Sequence, residues 1–149
     1  MAKFHEKEFT GALRTAVDTY NKTEAARCCD ELIAHLRGRI DSYPVTDAKE
    51  VLSILRKKRH FDLMARVADA FLRAGLNVPQ IRRQYAQSLL DMGNVSAAMD
   101  VLEHLLERRD IEPSESAEIK GLLGRGYKQI YVDADNNRPA QNQEALRKA

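Results

Sequence analysis

The sequence predicts an all-α chain of consecutive antiparallel helix pairs, and three observations carry that prediction. The first is composition: of 149 residues, 44% are hydrophobic and 31% charged, with 7 Gly, 4 Pro and no Trp. Stretches of β-branched residues are few, which argues against an all-β sandwich. The second is spacing, because apolar residues recur three and four apart along most of the chain. The third is an internal period of about 34 residues. One and the same interval separates Val51 from Tyr85, Leu55 from Leu89, Met64 from Ala98 and Phe71 from Leu105.

The same arithmetic excludes several classes. So large an apolar share is incompatible with a disordered chain, and no apolar run approaches the roughly 18 residues of a membrane-spanning helix. No secretory h-region follows Met1, so the expected location is cytoplasmic. A formal net charge of +2, from 24 Lys plus Arg against 22 Asp plus Glu, is too small to point to nucleic acid.

Taken in order, the first pair is expected over 5–39. Phe9, Leu13, Ala16, Val17 and Tyr20 mark one helix face, and a break at Asn21-Lys22 follows with Thr23 as N-cap. Ala25, Ala26, Cys29, Leu32, Ile33 and Leu36 mark the second helix, which ends near Gly38. The linker Asp41-Ser42-Tyr43-Pro44 leads to a repeat over 45–75, capped by Thr46. Its helices carry Val51, Leu52 and Leu55, then Met64, Ala68 and Phe71, with a break at Arg59-His60. The next repeat spans 79–110 and breaks at Met92-Gly93-Asn94. A last unit spans 114–149, with a polar insert over 132–143 and only Glu144 to Ala149 left for its second helix. Six residues do not hold a helix alone, so this unit is expected to be incomplete and the chain to be part of a longer protein. A single domain over 1–149 is expected, since one helix pair has too little core to stand by itself.

The second repeat resembles the tetratricopeptide repeat. Tyr85-Ala86, Leu89, Gly93, Ala98 and Leu102 follow that family's order of large-small, large, turn glycine, alanine and large. In the preceding repeat Arg59 replaces the turn glycine and Met64 the alanine. In the last unit, Leu123-Gly124-Arg125-Gly126-Tyr127 is similar to the family's Leu-Gly-x-x-Tyr. On that alignment Tyr127 answers to Leu89 but comes later than the period places it. The turn from Arg108 to Ser116 is therefore expected to hold about four extra residues. The resemblance implies a right-handed superhelical solenoid of about four antiparallel pairs. The run from Glu118 to Tyr131, the polar insert and Glu144 to Ala149 further resemble the TPR-like regulatory (TRAF-binding) region of apoptosis signal-regulating kinases and bacterial relatives. That likeness implies a regulatory scaffold fused to an effector domain.

Nothing in the sequence assembles an active site. Cys28 and Cys29 are adjacent; on a helix they point about 100° apart and do not chelate a metal together. They are expected to pack in the core of a protein from a reducing compartment. His5, His35, His60 and His104 are scattered, and no G-x-S-x-G surrounds a serine. Gly121-x-x-Gly124-x-Gly126 lies within a helical pattern, where small residues serve close packing rather than a phosphate loop. Asp133, Asp135, Asn137 and Glu144 repeat part of a calcium-loop spacing, but Arg138 stands where the loop's sharp turn needs glycine. That segment reads as a polar inter-helix loop. No catalytic residue, metal or cofactor is expected.

What remains is a surface. In the family the resemblance points to, the first helix of each pair lines a concave groove. The positions facing it fall here on Thr46, Lys49, Ser53 and Arg56, then Gln80, Arg83, Gln87 and Leu90, then Glu118, Gly121, Arg125 and Lys128. The expected site is Lys49, Ser53, Arg56, Arg83, Gln87, Arg125 and Lys128, a mildly basic groove suited to an acidic peptide. Chaperone-docking members hold a terminal carboxylate with a Lys/Asn/Arg set. Lys49 fits, whereas Ser53 and Gln84 depart from it, so such docking is not expected. The expected function is a noncatalytic protein-interaction scaffold binding a peptide, a helix or a fused effector domain. Two alternatives stay open. One is self-association into a homo-oligomer. The other is RNA binding through Arg56-Lys57-Lys58-Arg59 and Arg82-Arg83, against which no aromatic stacking platform accompanies these charges.

Overall fold

A computed structural model describes residues 3–134, and among them the chain forms seven α-helices and no strand. They are α1 (Glu6–Asp18), α2 (Lys22–Gly38), α3 (Val45–Lys57), α4 (Phe61–Arg73), α5 (Pro79–Asp91), α6 (Val95–Leu106) and α7 (Pro113–Asp133). Three helix pairs and the first helix of a fourth follow one another, a helical-repeat solenoid of the tetratricopeptide type. The helix expected over 142–149 lies outside the described residues.

Each helix forms because its apolar residues share one face. In α4, Leu63, Met64, Val67, Ala68 and Phe71 are all buried while Asp62 and Arg66 stay exposed, the three-and-four spacing of an amphipathic helix. Local signals set the ends. The Asn21 side chain accepts a hydrogen bond from the Glu24 backbone N–H at 3.1 Å, so α2 starts at Lys22 and Asn21, not Thr23, is its cap. Pro44 precedes α3, which leaves Thr46 inside the helix rather than capping it. Proline also occupies the first position of α5 and α7, where its missing N–H is not needed.

Helices α3, α5 and α7 start at Val45, Pro79 and Pro113, each exactly one period of the repeat after the one before. The turn before α7 therefore holds no extra residues, contrary to the expectation drawn from Tyr127. The residue one period after Leu89 is Leu123, which is buried, and α7 simply runs on to Asp133 past the point where α3 and α5 stop. A misalignment of about four residues is close to one helical turn, which is why the apolar pattern alone fitted both registers.

Four helix ends close on the same backbone device. A residue with positive φ follows the helix: Tyr20 (φ 57), Arg59 (φ 64), Gly75 (φ 93) and Gly93 (φ 88). In each, its N–H reaches a carbonyl three residues back, and the next N–H reaches one five back. Arg59 to Arg56 at 2.9 Å with His60 to Leu55 at 2.8 Å is one example; Gly93 to Leu90 at 3.0 Å with Asn94 to Leu89 at 2.8 Å is another. This is a Schellman cap, a position where glycine avoids the steric cost a side chain meets. Arg59 occupies it all the same, with its guanidinium 5.2 Å from the Phe61 ring.

Packing divides the helices into two layers. Helices α1, α3, α5 and α7 touch in succession, and α2 touches α4, but α4 and α6 do not meet. The odd-numbered helices therefore form the continuous layer, here called the inner one. The buried apolar residues form two clusters. One runs from Phe9 through α1–α4 to Ile81 at the start of α5, the other from Ala86 to Leu123 through α5–α7, and Tyr85 packs against both. The linker between α2 and α3 is ordered by Arg39. Its guanidinium binds Glu6 at 2.8 Å and the Ser42 carbonyl at 3.2 Å, and lies 5.0 Å over the Tyr43 ring. In the second cluster, Gly126 of α7 meets α6 so closely that a Cβ there would sit 2.1 Å from Met99 Sδ, whereas Gly121 has open space around it. Gly126 thus serves close packing and Gly121 does not.

Two substitutions test this account. Arg59→Gly relieves a left-handed side chain at a cost of one exposed cation–π contact, and is expected to stabilise the protein by about 0.5–1 kcal/mol, read as a higher melting temperature. Gly126→Ala pushes the flexible Met99 thioether aside, and is expected to destabilise by about 1 kcal/mol at most, since alanine's helix propensity offsets part of the overpacking. In chemical denaturation, combining it with Met99→Ala should cost less than the two separate losses added, because the clash is gone.

Candidate binding groove

The inner layer brings together polar side chains from three successive pairs. Asp91, at the end of α5, receives the Arg125 guanidinium of α7 on Oδ1, and Arg56 Nε of α3 lies 4.0 Å from Oδ2. Arg56 also donates to the Gln87 amide oxygen of α5, from Nε at 2.9 Å and Nη2 at 2.7 Å, with the amide oriented as its neighbouring donors require. Asp91 is 9% exposed, whereas Arg56 and Arg125 are each 48% exposed. One sunken carboxylate therefore anchors two cations whose outer N–H groups face solvent. Its Oδ2 has no hydrogen-bond partner among the described residues.

A second pair lies nearby. Arg83 of α5 binds Glu115 in the first turn of α7, and the two are 17% and 10% exposed. Glu115 also sits where the helix N-terminus favours negative charge. Between α3 and α5 the buried Gln84 donates to the Lys49 carbonyl at 3.4 Å, so it acts in packing. Farther along the layer Arg14 of α1 binds Glu50 of α3. Each of these contacts crosses from one pair to the next.

The expected site residues separate accordingly. Arg56 and Arg125 are brought together on Asp91, and Gln87 accepts from Arg56. Arg83 is drawn aside to Glu115. Ser53 and Lys128 are exposed and Lys49 half-buried. The groove is less basic than its cations alone imply, because Asp91 and Glu115 sit among them. Neither acid was singled out in the sequence; the available signal was that Asp91 precedes Arg125 by one whole period.

The remaining candidates assemble no chemistry. Asp133 ends α7 and accepts a hydrogen bond from Gln129 Nε2 at 2.8 Å; Asp135, Asn137 and Glu144 lie outside the described residues. Among the described residues no group of three or more His, Cys, Asp or Glu is placed to hold a metal. Cys28 and Cys29 are buried and unbridged. Burial pushes the Cys28 thiol up and the Cys29 thiol up to about 12, away from the thiolate a nucleophile needs. No helix among the described residues is long and apolar enough to cross a membrane.

A continuous layer of first helices, carrying polar side chains at a constant period, defines a tetratricopeptide-type repeat protein. More particularly, residues 60–149 match the Tetratricopeptide Repeats-Sensor (TPR-S) family, and the chain belongs to it. No curated protein and no solved structure matches the chain. Tetratricopeptide-type repeats are generally non-catalytic and act in protein–protein interaction.

The Arg83–Glu115 pair is the most deeply placed ion pair of the layer. Arg83→Met leaves Glu115 without its partner, and is expected to cost about 2–4 kcal/mol in urea denaturation. Arg83→Met with Glu115→Leu should recover most of that loss.

Proposed function

We propose that this chain is a noncatalytic scaffold of a signalling or effector protein, and that its inner face holds an acidic peptide, a helix or a fused effector domain. The observation that carries this reading is the meeting of Arg56 of α3 and Arg125 of α7 on the sunken Asp91 carboxylate of α5, with Gln87 of α5 holding Arg56. Both guanidinium groups are about half exposed, and charge-assisted hydrogen bonds to carboxylates are the strong kind. Lys49 and Ser53 of α3 and Lys128 of α7 complete the groove in this reading, Ser53 and Lys128 exposed and Lys49 half-buried. A preformed groove costs little ordering on binding. The TPR-S membership supports the reading, since a repeat that senses must bind what it senses.

The test is a titration of the protein with a labelled glutamate-rich peptide. Lys49→Glu with Lys128→Glu is expected to weaken binding at least ten-fold. The melting temperature should stay unchanged, since neither side chain forms an ion pair among the described residues. Arg83 is left intact, because reversing it would disturb Glu115 and the fold. Tighter, steeply salt-dependent binding of RNA would overturn the reading, as would a dimer in light scattering that the same two substitutions dissolve.

A further inference from the structure

A cavity of about 650 Å³ lies on the other side of the molecule, between α2 and α4. That is well within the ordinary size of ligand clefts. Its floor is aliphatic, formed by Ile33, Leu36 and Ala70, and its rim carries Arg37, Arg66 and Arg73 with one acid, Asp69, among them. Helices α2 and α4 pack side by side here, and both end at the cleft, with Arg37 in the last turn of one and Arg73 closing the other.

These arginines are held at most by exposed ion pairs. Arg37 forms no hydrogen bond or ion pair among the described residues, and it is exposed. Arg66 bridges to Asp30 at 2.6 Å with both side chains more than half exposed. Arg73 bridges to Asp69 on its own helix and is 80% exposed. Exposed pairs of this kind contribute little to stability, so they give way readily to a ligand carboxylate. Arg39, by contrast, is committed to Glu6 and the linker.

We infer that this cleft is a second docking surface, and that its occupant is an acidic amphipathic helix of a protein partner. The aliphatic floor takes the apolar stripe of such a helix, laid along the trough between α2 and α4, and the arginine rim takes its flanking carboxylates. No aromatic side chain lines the cleft among the described residues, which disfavours a nucleic acid needing a stacking platform. The site does not depend on the inner groove, since it is built from the even-numbered helices.

The test uses a fluorescein-labelled peptide of Leu and Glu in helical spacing, with a Gln-for-Glu twin. The Leu/Glu peptide is expected to bind in anisotropy titrations, more weakly as NaCl rises, and its Gln twin about ten-fold more weakly or worse. Arg37→Gln, Arg66→Gln and Arg73→Gln together should weaken it at least about ten-fold, whereas Lys49→Glu with Lys128→Glu should change it by less than about two-fold. Amide shifts on binding should fall on α2 and α4. A second block, Ala74→Trp at the exposed mouth, should abolish binding if the triple variant melts early. Absence of binding to the unaltered protein overturns the proposal, as does full affinity in both the triple variant and Ala74→Trp. Shifts confined to α3, α5 and α7 overturn it too, as does a single-stranded RNA that displaces the peptide and binds more tightly, which assigns the rim to nucleic acid.

Discussion

No pair of helices in this chain shields its own apolar residues; each is closed by the pair beside it. Burial of Leu52, Leu55, Phe71 and Leu102 to complete exclusion from solvent needs neighbours on both sides, and each such side chain contributes about 1.5–3 kcal/mol when removed from water. That demand sets the constant interval between Val45, Pro79 and Pro113, because identical spacing presents the same face at each step. The Schellman caps answer the same demand locally. At Tyr20, Arg59 and Gly93 they turn the chain within three residues, so that the second helix of a pair falls back against the first.

The polar contacts of the inner layer depend on this interval rather than create it. Arg14–Glu50, Arg83–Glu115 and Arg125–Asp91 all link residues roughly one period apart. Side chains so placed lie level on adjacent helices, and ion pairing between them resists sliding by a turn more than it adds stability. Asp91 is the most connected of these groups, with α3 on one side and α7 on the other.

How much of this was legible beforehand follows from the range of each interaction. Helix existence and the turns at Arg59-His60 and Met92-Gly93-Asn94 came from spacing within a few residues, and the seven helices fall where that spacing put them. The caps were misplaced because Asn21 and Thr23 are both good N-cap residues, and only the hydrogen bond to Glu24 decides between them. The last unit was set one turn out of register, since Leu123 and Tyr127 lie on nearly the same helix face. For the groove, the repeat positions located the cations. The acids that receive them were invisible for a physical reason: Asp91 and Glu115 acquire their meaning from a neighbour in the adjoining repeat, and no local pattern marks that.

The division of the apolar residues into two clusters, sharing only Tyr85, has a mechanical side. Helix α5 is the joint between an α1–α4 block and an α6–α7 block, and α4 and α6 give no support across it. Local opening in repeat stacks starts where such support is least. An occupant of the inner face reaching from α3 to α7 would span this joint and act as a splint, adding its binding free energy to the stiffness of the stack. Occupancy of the inner face would then be expressed as a change in how freely the two blocks bend against each other.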